Sequence, residues 1–225
     1  MILTTCCWQC WALTALLQGR LEPSSESYEH AKAIETLAQR GADLTSRLLA
    51  MSREDPAEAR PVNLNAAVLE ALKLLEPALP IDVRIVAELQ EDLPSINGDH
   101  IRLQQVIMNL CLNAADAMAG GGSLGLSTEA VGLEQEISLC DPALRPGRYV
   151  RLCVADTGTG IDGAFKPRIF EPFFTTKAEG KGTGLGLFVV HSIVKEHGGA
   201  VQVSSELGHG SSFTVFLPVC DPHQA

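Results

Sequence analysis

Apolar positions along the chain change their spacing several times, and each change marks an element. From Tyr28 to Arg53, Ile34, Leu37, Leu44, Leu48 and Met51 keep spacings of three and four, with Gly41 at the intervening position. That is a heptad seam, the stripe a helix buries against partner helices. "ALTALLQGRLE" before it predicts another helix, with "EPSSES" as the turn and Ser27 as N-cap of the second. Such a hairpin (1–55) has too little core to stand alone. Pairing with a second copy into a four-helix bundle is one remedy, and packing on its own downstream domain is the other. "EDPAEARPVN" sets two prolines among charges and predicts a linker over 56–61.

Beyond the linker the pattern becomes mixed. Helical spacing runs from Leu64 to Glu76, a strand is predicted over Ile81–Leu89, and Asp99 is placed to cap a long helix that ends at Gly120, Gly121 and Gly122. Strands follow at Ser123–Ala130 and Tyr149–Ala155. After a long Gly-rich loop come a helix at Gly184–His197 and two strands at Ala200–Ser205 and Ser212–Leu217. Most strands arrive in adjacent pairs, so the order predicts an α+β domain over 62–220, a mixed sheet covered by helices on one face, with 221–225 as a tail.

Composition narrows the function classes. At 46% hydrophobic and 20% charged, the 225 residues are an ordinary globular chain. A net charge of -10 with no Lys/Arg run argues against a nucleic-acid surface. The opening "MILTTCCWQCWALTALLQ" is too short for a membrane span and lacks a basic signal-peptide start, so a cytoplasmic protein without a membrane segment is expected. Seven cysteines show no framework spacing, and Cys111, Cys140, Cys153 and Cys220 sit singly among apolar residues, as reduced thiols do. Cys7-x-x-Cys10 has no second pair or nearby histidine to complete a zinc site.

Four stretches carry chemistry. In "QVIMNLCLNAADAM" (105–118), Asn109, Asn113 and Asp116 recur at i, i+4 and i+7 beside an apolar stripe. At roughly 100° per residue they fall within about 60° of one another. "VRLCVADTGTGI" ends a strand at Ala155, and Asp156 opens a turn with Gly158 and Gly160. A carboxylate fixed there accepts from an exocyclic amine, and glycines let a flat ring approach the backbone. Adenine suits it; guanine would set an acceptor oxygen against an acceptor. "KPRIFEPFFTTK" packs Phe170, Phe173 and Phe174 around Pro172 as an anchor for a loop, then offers Lys177 as a free ammonium suited to phosphate. "GKGTGLGLFVVHSIVKEHGG" exposes the backbone of Gly182, Gly184 and Gly186 where a helix starts, which is a candidate phosphate cradle. It is neither a Rossmann turn, for want of an apolar strand directly before it, nor a P-loop.

In this order the four stretches resemble the boxes of the ATP-binding domain of sensor histidine kinases, in the GHKL superfamily of gyrase B subunits and large heat-shock chaperones. "NLCLNAADA" looks like the N box, "DTGTG" the first glycine box, "FEPFFTTK" the F box and "GTGLG" the second glycine box. The likeness covers Pro61 to Val219, and "RGADLTSRLLAMSR" is similar to the second dimerisation helix of nitrogen-regulation-type and hybrid kinases. The resemblance implies the GHKL (Bergerat) fold, ATP and Mg²⁺ as cofactors, a homodimer through the N-terminal helices, and a response-regulator receiver domain as partner. It implies transfer of the γ-phosphoryl group to a histidine, for relay to a response-regulator aspartate. It places Mg²⁺ on Asn113, the adenine amine on Asp156, phosphate on Lys177, and the phosphate-wrapping segment at Gly182, Thr183, Gly184, Leu185 and Gly186. Ile161 would pack near the base, and Ser211 would reach it through water. Asn109, Asp116, Gly158 and Gly160 complete the expected nucleotide site.

Asn109 is the discriminating position. The superfamily's ATP hydrolases carry a glutamate one turn before the metal asparagine to activate water, and an amide cannot take a proton. Holding ATP for transfer rather than hydrolysis is therefore implied. The family's acceptor histidine would fall near Cys7, where the chain reads "CCWQCW"; no histidine occurs before His30, which precedes Ala31 rather than an acid. Defective self-phosphorylation is therefore expected; a fragment or divergent gene whose start replaced the acceptor, transfer to a histidine in another chain, an adaptor that binds ATP and docks receiver domains, and a GHKL-type ATPase all remain open at this point.

Overall fold

Asn63 and Asp99 each sit one residue ahead of an apolar-periodic run, and in the computed structural model each caps a helix. The structure describes Ser25, Ser27, Tyr28 and residues 60–76, 79–135, 143–177 and 182–220. The chain divides between Pro56 and Ala57 into two units. The expected hairpin and its seam lie outside the described residues, apart from one correction at its start. The Ser25 hydroxyl, not that of Ser27, accepts from the Tyr28 N–H at 3.2 Å. Ser27 itself is already helical, and a capping side chain serves the N–H two or three residues further on.

Helix α1 (Leu64–Leu75) starts from Asn63, whose Oδ1 accepts from the N–H groups of Asn65 and Ala66. Helix α2 (His100–Ala117) starts from Asp99, whose carboxylate accepts from Ile101 and Arg102. Helix α3 (Gly186–Glu196) ends in a Schellman arrangement: Gly198 takes φ +68° and the Gly199 N–H reaches the Val194 carbonyl at 2.9 Å. The strands are β1 (Arg60–Val62), β2 (Val83–Leu89), β3 (Ile96–Gly98), β4 (Gly122–Leu133), β5 (Gly147–Asp156), β6 (Ala200–Glu206) and β7 (Gly210–Pro218). Five of them form one sheet in the order β2-β4-β5-β7-β6, with β2 parallel to β4 and every other pairing antiparallel. The expected α+β class and mixed sheet are thus observed.

Two short strands were not expected. β1 and β3 pair antiparallel in a small separate ribbon, Arg60 against Gly98 and Val62 against Ile96. Arg60 and Pro61, which the sequence reading gives to the linker, therefore belong to the domain. Pro61 has no N–H to donate, and a two-stranded ribbon tolerates it as an edge does. The predicted strand at Ile81 begins at Val83 instead, with Ile81 fully exposed.

All three helices pack on one face of the sheet. Leu126, Val154, Phe213 and Val203 form one inward row across β4, β5, β7 and β6, and Thr128, Leu152, Val215 and Val201 form the next. Against them lie Val68 and Ala71 of α1, Val106, Ile107, Leu110 and Cys111 of α2, and Val190, Ile193 and Val194 of α3. Burial pushes the Cys111 thiol up to about 12, so it acts as a small hydrophobe and not as a nucleophile. The opposite face is partly open, but at one end Leu144, Tyr149, Ala200 and Phe216 make a second small cluster, with the Tyr149 hydroxyl donating to the Arg145 carbonyl at 3.0 Å.

α2 and α3 lie side by side in opposite directions and are tied at one end. His197, at the end of α3, donates from Nδ1 to the Ile193 carbonyl at 2.7 Å and accepts at Nε2 from the Asp99 N–H at 3.1 Å. Arg102 pairs with Glu196 beside it. Among the described residues no helix is long and apolar enough to cross a membrane.

Candidate functional site

Apart from Thr128, the inward rows of the sheet are apolar until their last member. One register step beyond Leu126–Val154–Phe213–Val203 stand Leu124, Asp156, Ser211 and Ser205. Three polar side chains thus end an apolar layer on its helix side. Asp156 is 8% exposed and Ser211 7%. The Asp156 carboxylate accepts from the Gly158 N–H at 2.8 Å. Burial holds its proton affinity above the usual carboxylate range, against the pull of donors from Gly158 and Ser211. A buried carboxylate with donors on one side keeps lone pairs for a further donor, which is what an exocyclic amine supplies.

Ser205 was missed by sequence reasoning. Its hydroxyl accepts from the Ile161 N–H at 2.8 Å, donates to the Gly210 carbonyl at 2.9 Å and lies 3.0 Å from the Ser211 hydroxyl. It therefore fixes the Gly-rich turn, Ile161 included, against the β6–β7 hairpin. The signal was present in "SSELGHGSS": folding the hairpin about Leu207–His209 sets Ser205 opposite Ser211.

The turn after β5 is pinned from both sides. The Thr159 N–H donates to the Ala117 carbonyl at the end of α2, and the Thr159 carbonyl accepts from Gly208 at 2.7 Å. A side chain at Gly160 would be strained at φ +69° and would put Cβ 2.0 Å from the Glu206 carbonyl oxygen. Gly158 passes so close to the end of α2 that a Cβ there would lie 2.6 Å from the Ala117 oxygen. This turn therefore ties Asp156 to the asparagine helix.

At the other end of the site the second Gly-rich segment meets that same helix. A Cβ placed on Gly186 would lie 3.4 Å from Asn113 Nδ2, 3.7 Å from Asn113 Oδ1 and 3.7 Å from Asn109 Oδ1. The two half-buried amides thus face the first residue of α3 rather than hydrocarbon. Unlike α1 and α2, α3 starts from a residue, Leu185, that makes no side-chain cap, so no such cap covers the N–H groups of its first turn. Leu185 is buried, so its own part in any ligand contact runs through its backbone. The Thr183 hydroxyl accepts from the Leu185 N–H at 3.4 Å.

The loop between these walls is only partly as expected. Phe170 packs 5.4 Å from the His191 ring, and Phe174 lies 5.9 Å from Phe165 with the Arg168 guanidinium 4.6 Å above it. Phe173 departs from the anchoring role: it is 63% exposed at φ +65°. Its backbone is the part in use, because Gly184, at φ +64°, crosses it so closely that a Cβ there would lie 2.4 Å from the Phe173 carbonyl carbon. Lys177 is not a free ammonium either: it is paired with Asp116 of α2. The two stand 61 positions apart, so neither position alone signals the pairing.

No group of three or more His, Cys, Asp or Glu side chains that could hold a metal occurs among the described residues. Asn113 offers one amide oxygen beside an open glycine backbone. That donor set suits Mg²⁺ arriving with a polyphosphate, which brings its remaining oxygens from phosphate and water. Gly186→Ala tests the gap directly. Its Cβ makes only ordinary contacts and helix propensity favours Ala by roughly 1 kcal/mol, so the protein stays folded with an unchanged or higher Tm. The methyl group fills the space before Asn113, and titration calorimetry should show ATP affinity falling at least several-fold.

Residues 98–221, more than half of the chain, match the family model described as histidine kinase-, DNA gyrase B- and HSP90-like ATPase. The sensor kinase CckA of Brucella abortus (strain 2308) is 37% identical over 203 residues, 90% of this chain and 22% of that protein. The sensor histidine kinase ZraS of Escherichia coli (strain K12) is 35% identical over 201 residues, 89% of this chain and 40% of that one. This chain thus spans less than half the length of either relative. Among solved structures, full-length ShkA in complex with AMPPNP is similar at TM-score 0.66 and 25% identity, over 94% of this chain and 46% of that one.

Proposed function

The chain belongs to the histidine kinase-, DNA gyrase B- and HSP90-like ATPases, and on that premise we propose that it is the ATP-binding catalytic core of a two-component sensor histidine kinase. In this reading it passes the γ-phosphoryl group of Mg-ATP to a histidine, from which a response-regulator aspartate receives it. Asp156 accepts from the adenine amine, and Ser205 and Ser211 hold the turn that receives the ring. Asn113 supplies an oxygen to Mg²⁺, which neutralises phosphate charge when bound. The N–H groups at Gly182–Gly186 and the start of α3 bind the phosphates, and Lys177 meets them as a point charge.

The single observation that carries the reading is the meeting of Asn109 and Asn113 with Gly186. It supports the reading that an amide, not a base, faces the position where water would be activated, so that the proposed site holds ATP and aligns it for transfer. The acceptor histidine is proposed to lie on another chain, since the stretch near Cys7 where the resemblance would put it reads "CCWQCW". A homodimer through the N-terminal helices, a receiver domain as partner and a cytoplasmic location complete the proposal.

Thermal shift with Mg-ATP should raise the Tm of the full chain, and Asn113→Ala should reduce ATP affinity at least tenfold and abolish its dependence on Mg²⁺. With γ-labelled ATP, acid-labile and base-stable label should appear on an added kinase that carries the acceptor histidine and not on this chain alone. Steady phosphate release without any protein acceptor would instead mark a hydrolase, and a flat thermal shift a pure interaction module.

A further inference from the structure

Lys177 and Asp116 form an ion pair between the loop after Phe174 and the last turn of α2. Asp116 stands three residues beyond Asn113, on the same side of the helix. The loop end is held from within, the Lys177 N–H donating to Thr175 Oγ1 at 3.2 Å. Gly182 lies against both, since a Cβ there would fall 2.7 Å from Thr175 Oγ1 and 3.2 Å from Lys177 Cδ. The ammonium therefore sits on Asp116, about one turn beyond Asn113 on α2, while the lysine stem lies against Gly182, at the start of the segment where the polyphosphate is proposed to lie.

We propose that Asp116 is a positioning residue that holds Lys177 in the nucleotide-free protein and exchanges it for phosphate oxygens when ATP binds. The inference rests on reading the site as an ATP site. Its chemistry is partner exchange with no bond made or broken: one carboxylate gives way to a polyanion of higher charge. The exchange is feasible because both side chains are partly exposed, 35% for Lys177 and 56% for Asp116, and such pairs are weak. Asp116 thus keeps the lysine in reach, lowers the net affinity for every nucleotide, and takes the ammonium back when phosphate leaves. A fixed, unpaired lysine would bind nucleotide more tightly and release product more slowly.

A double-mutant cycle tests this, with Mg-ATP binding measured by calorimetry on the full chain, Asp116→Asn, Lys177→Met and the double variant. With Lys177 present, Asp116→Asn should tighten binding roughly three- to tenfold, the size of a half-exposed ion pair. With Lys177→Met it should change affinity by less than about twofold. Equal tightening in both backgrounds would make Asp116 a plain repulsive charge and overturn the proposal. Weaker binding in Asp116→Asn would make it a supporting ligand of Mg-ATP and overturn it equally. Asn113→Ala separates the two levels: if the unaltered chain binds no ATP, or Asn113→Ala binds it just as well, the ATP-site reading falls and this proposal with it.

Discussion

Replacing Asp156 by asparagine should weaken ATP binding about ten- to hundredfold, the loss expected when a charged acceptor of a buried hydrogen bond becomes neutral. The nucleotide-free protein should keep its Tm or gain. Asp156 is buried, and burial raises its proton affinity. A carboxyl group whose folded-state pKa is raised contributes stability that is fully present below its unfolded value and is lost as pH rises through the folded value. At neutral pH the ionised side chain is therefore a cost to the empty protein. The amide carries no charge to desolvate, keeps an oxygen for the Gly158 N–H, and can donate to a rotated Ser211 hydroxyl. Differential scanning calorimetry against pH should show the variant level with or above the original at neutral pH, with the difference shrinking in acid. In the original chain, ATP affinity should fall on acidification at a higher pH than an ordinary surface aspartate would dictate, because protonated Asp156 turns from acceptor to donor. Loss of the fold in Asp156→Asn would show that the carboxylate serves structure first.

Introducing a glutamate at Asn109 should have the second large effect. Asn109 Oδ1 lies on the same gap before Gly186 as the Asn113 amide, so a carboxylate there faces the place where the terminal phosphate is proposed to sit. General-base assistance contributes about 10²- to 10⁴-fold in favourable cases. Allowing for an imperfectly placed side chain, Asn109→Glu should raise phosphate release without an acceptor at least tenfold. Asn109→Gln, of similar length and without a base, should not. Equal rates in the two variants would remove the argument that the amide suppresses hydrolysis.

Much of this architecture was legible in the residues because several local rules agreed. Asp99 caps α2 as its position ahead of the apolar stripe implies, Gly198 and Gly199 end α3, and β4, β5 and β7 follow the alternation of their sequences. β1 and β3 were invisible: three residues containing a proline or a glycine give no period, and only their mutual pairing makes them strands. The site shows the same division. Asn113, Asp156 and the Gly182–Gly186 segment stood out by residue type and spacing, whereas Ser211 entered only through the family resemblance. The pairing of Lys177 with Asp116, the exposure of Phe173 and the role of Ser205 depend on contacts across the fold, and no short window of sequence carries them.

The tie between His197 and Asp99 has a consequence for the whole helix pair. It clamps the far ends of α2 and α3, while Gly186 and Asn113 meet at the near end, about 16 Å away along an 11-residue helix. The jaws of this pincer are thus set from its pivot. Substitutions at Gly98, Asp99, Arg102, Glu196 or His197 belong in any selection for altered nucleotide use, although they stand a helix length from where the phosphates are proposed to bind.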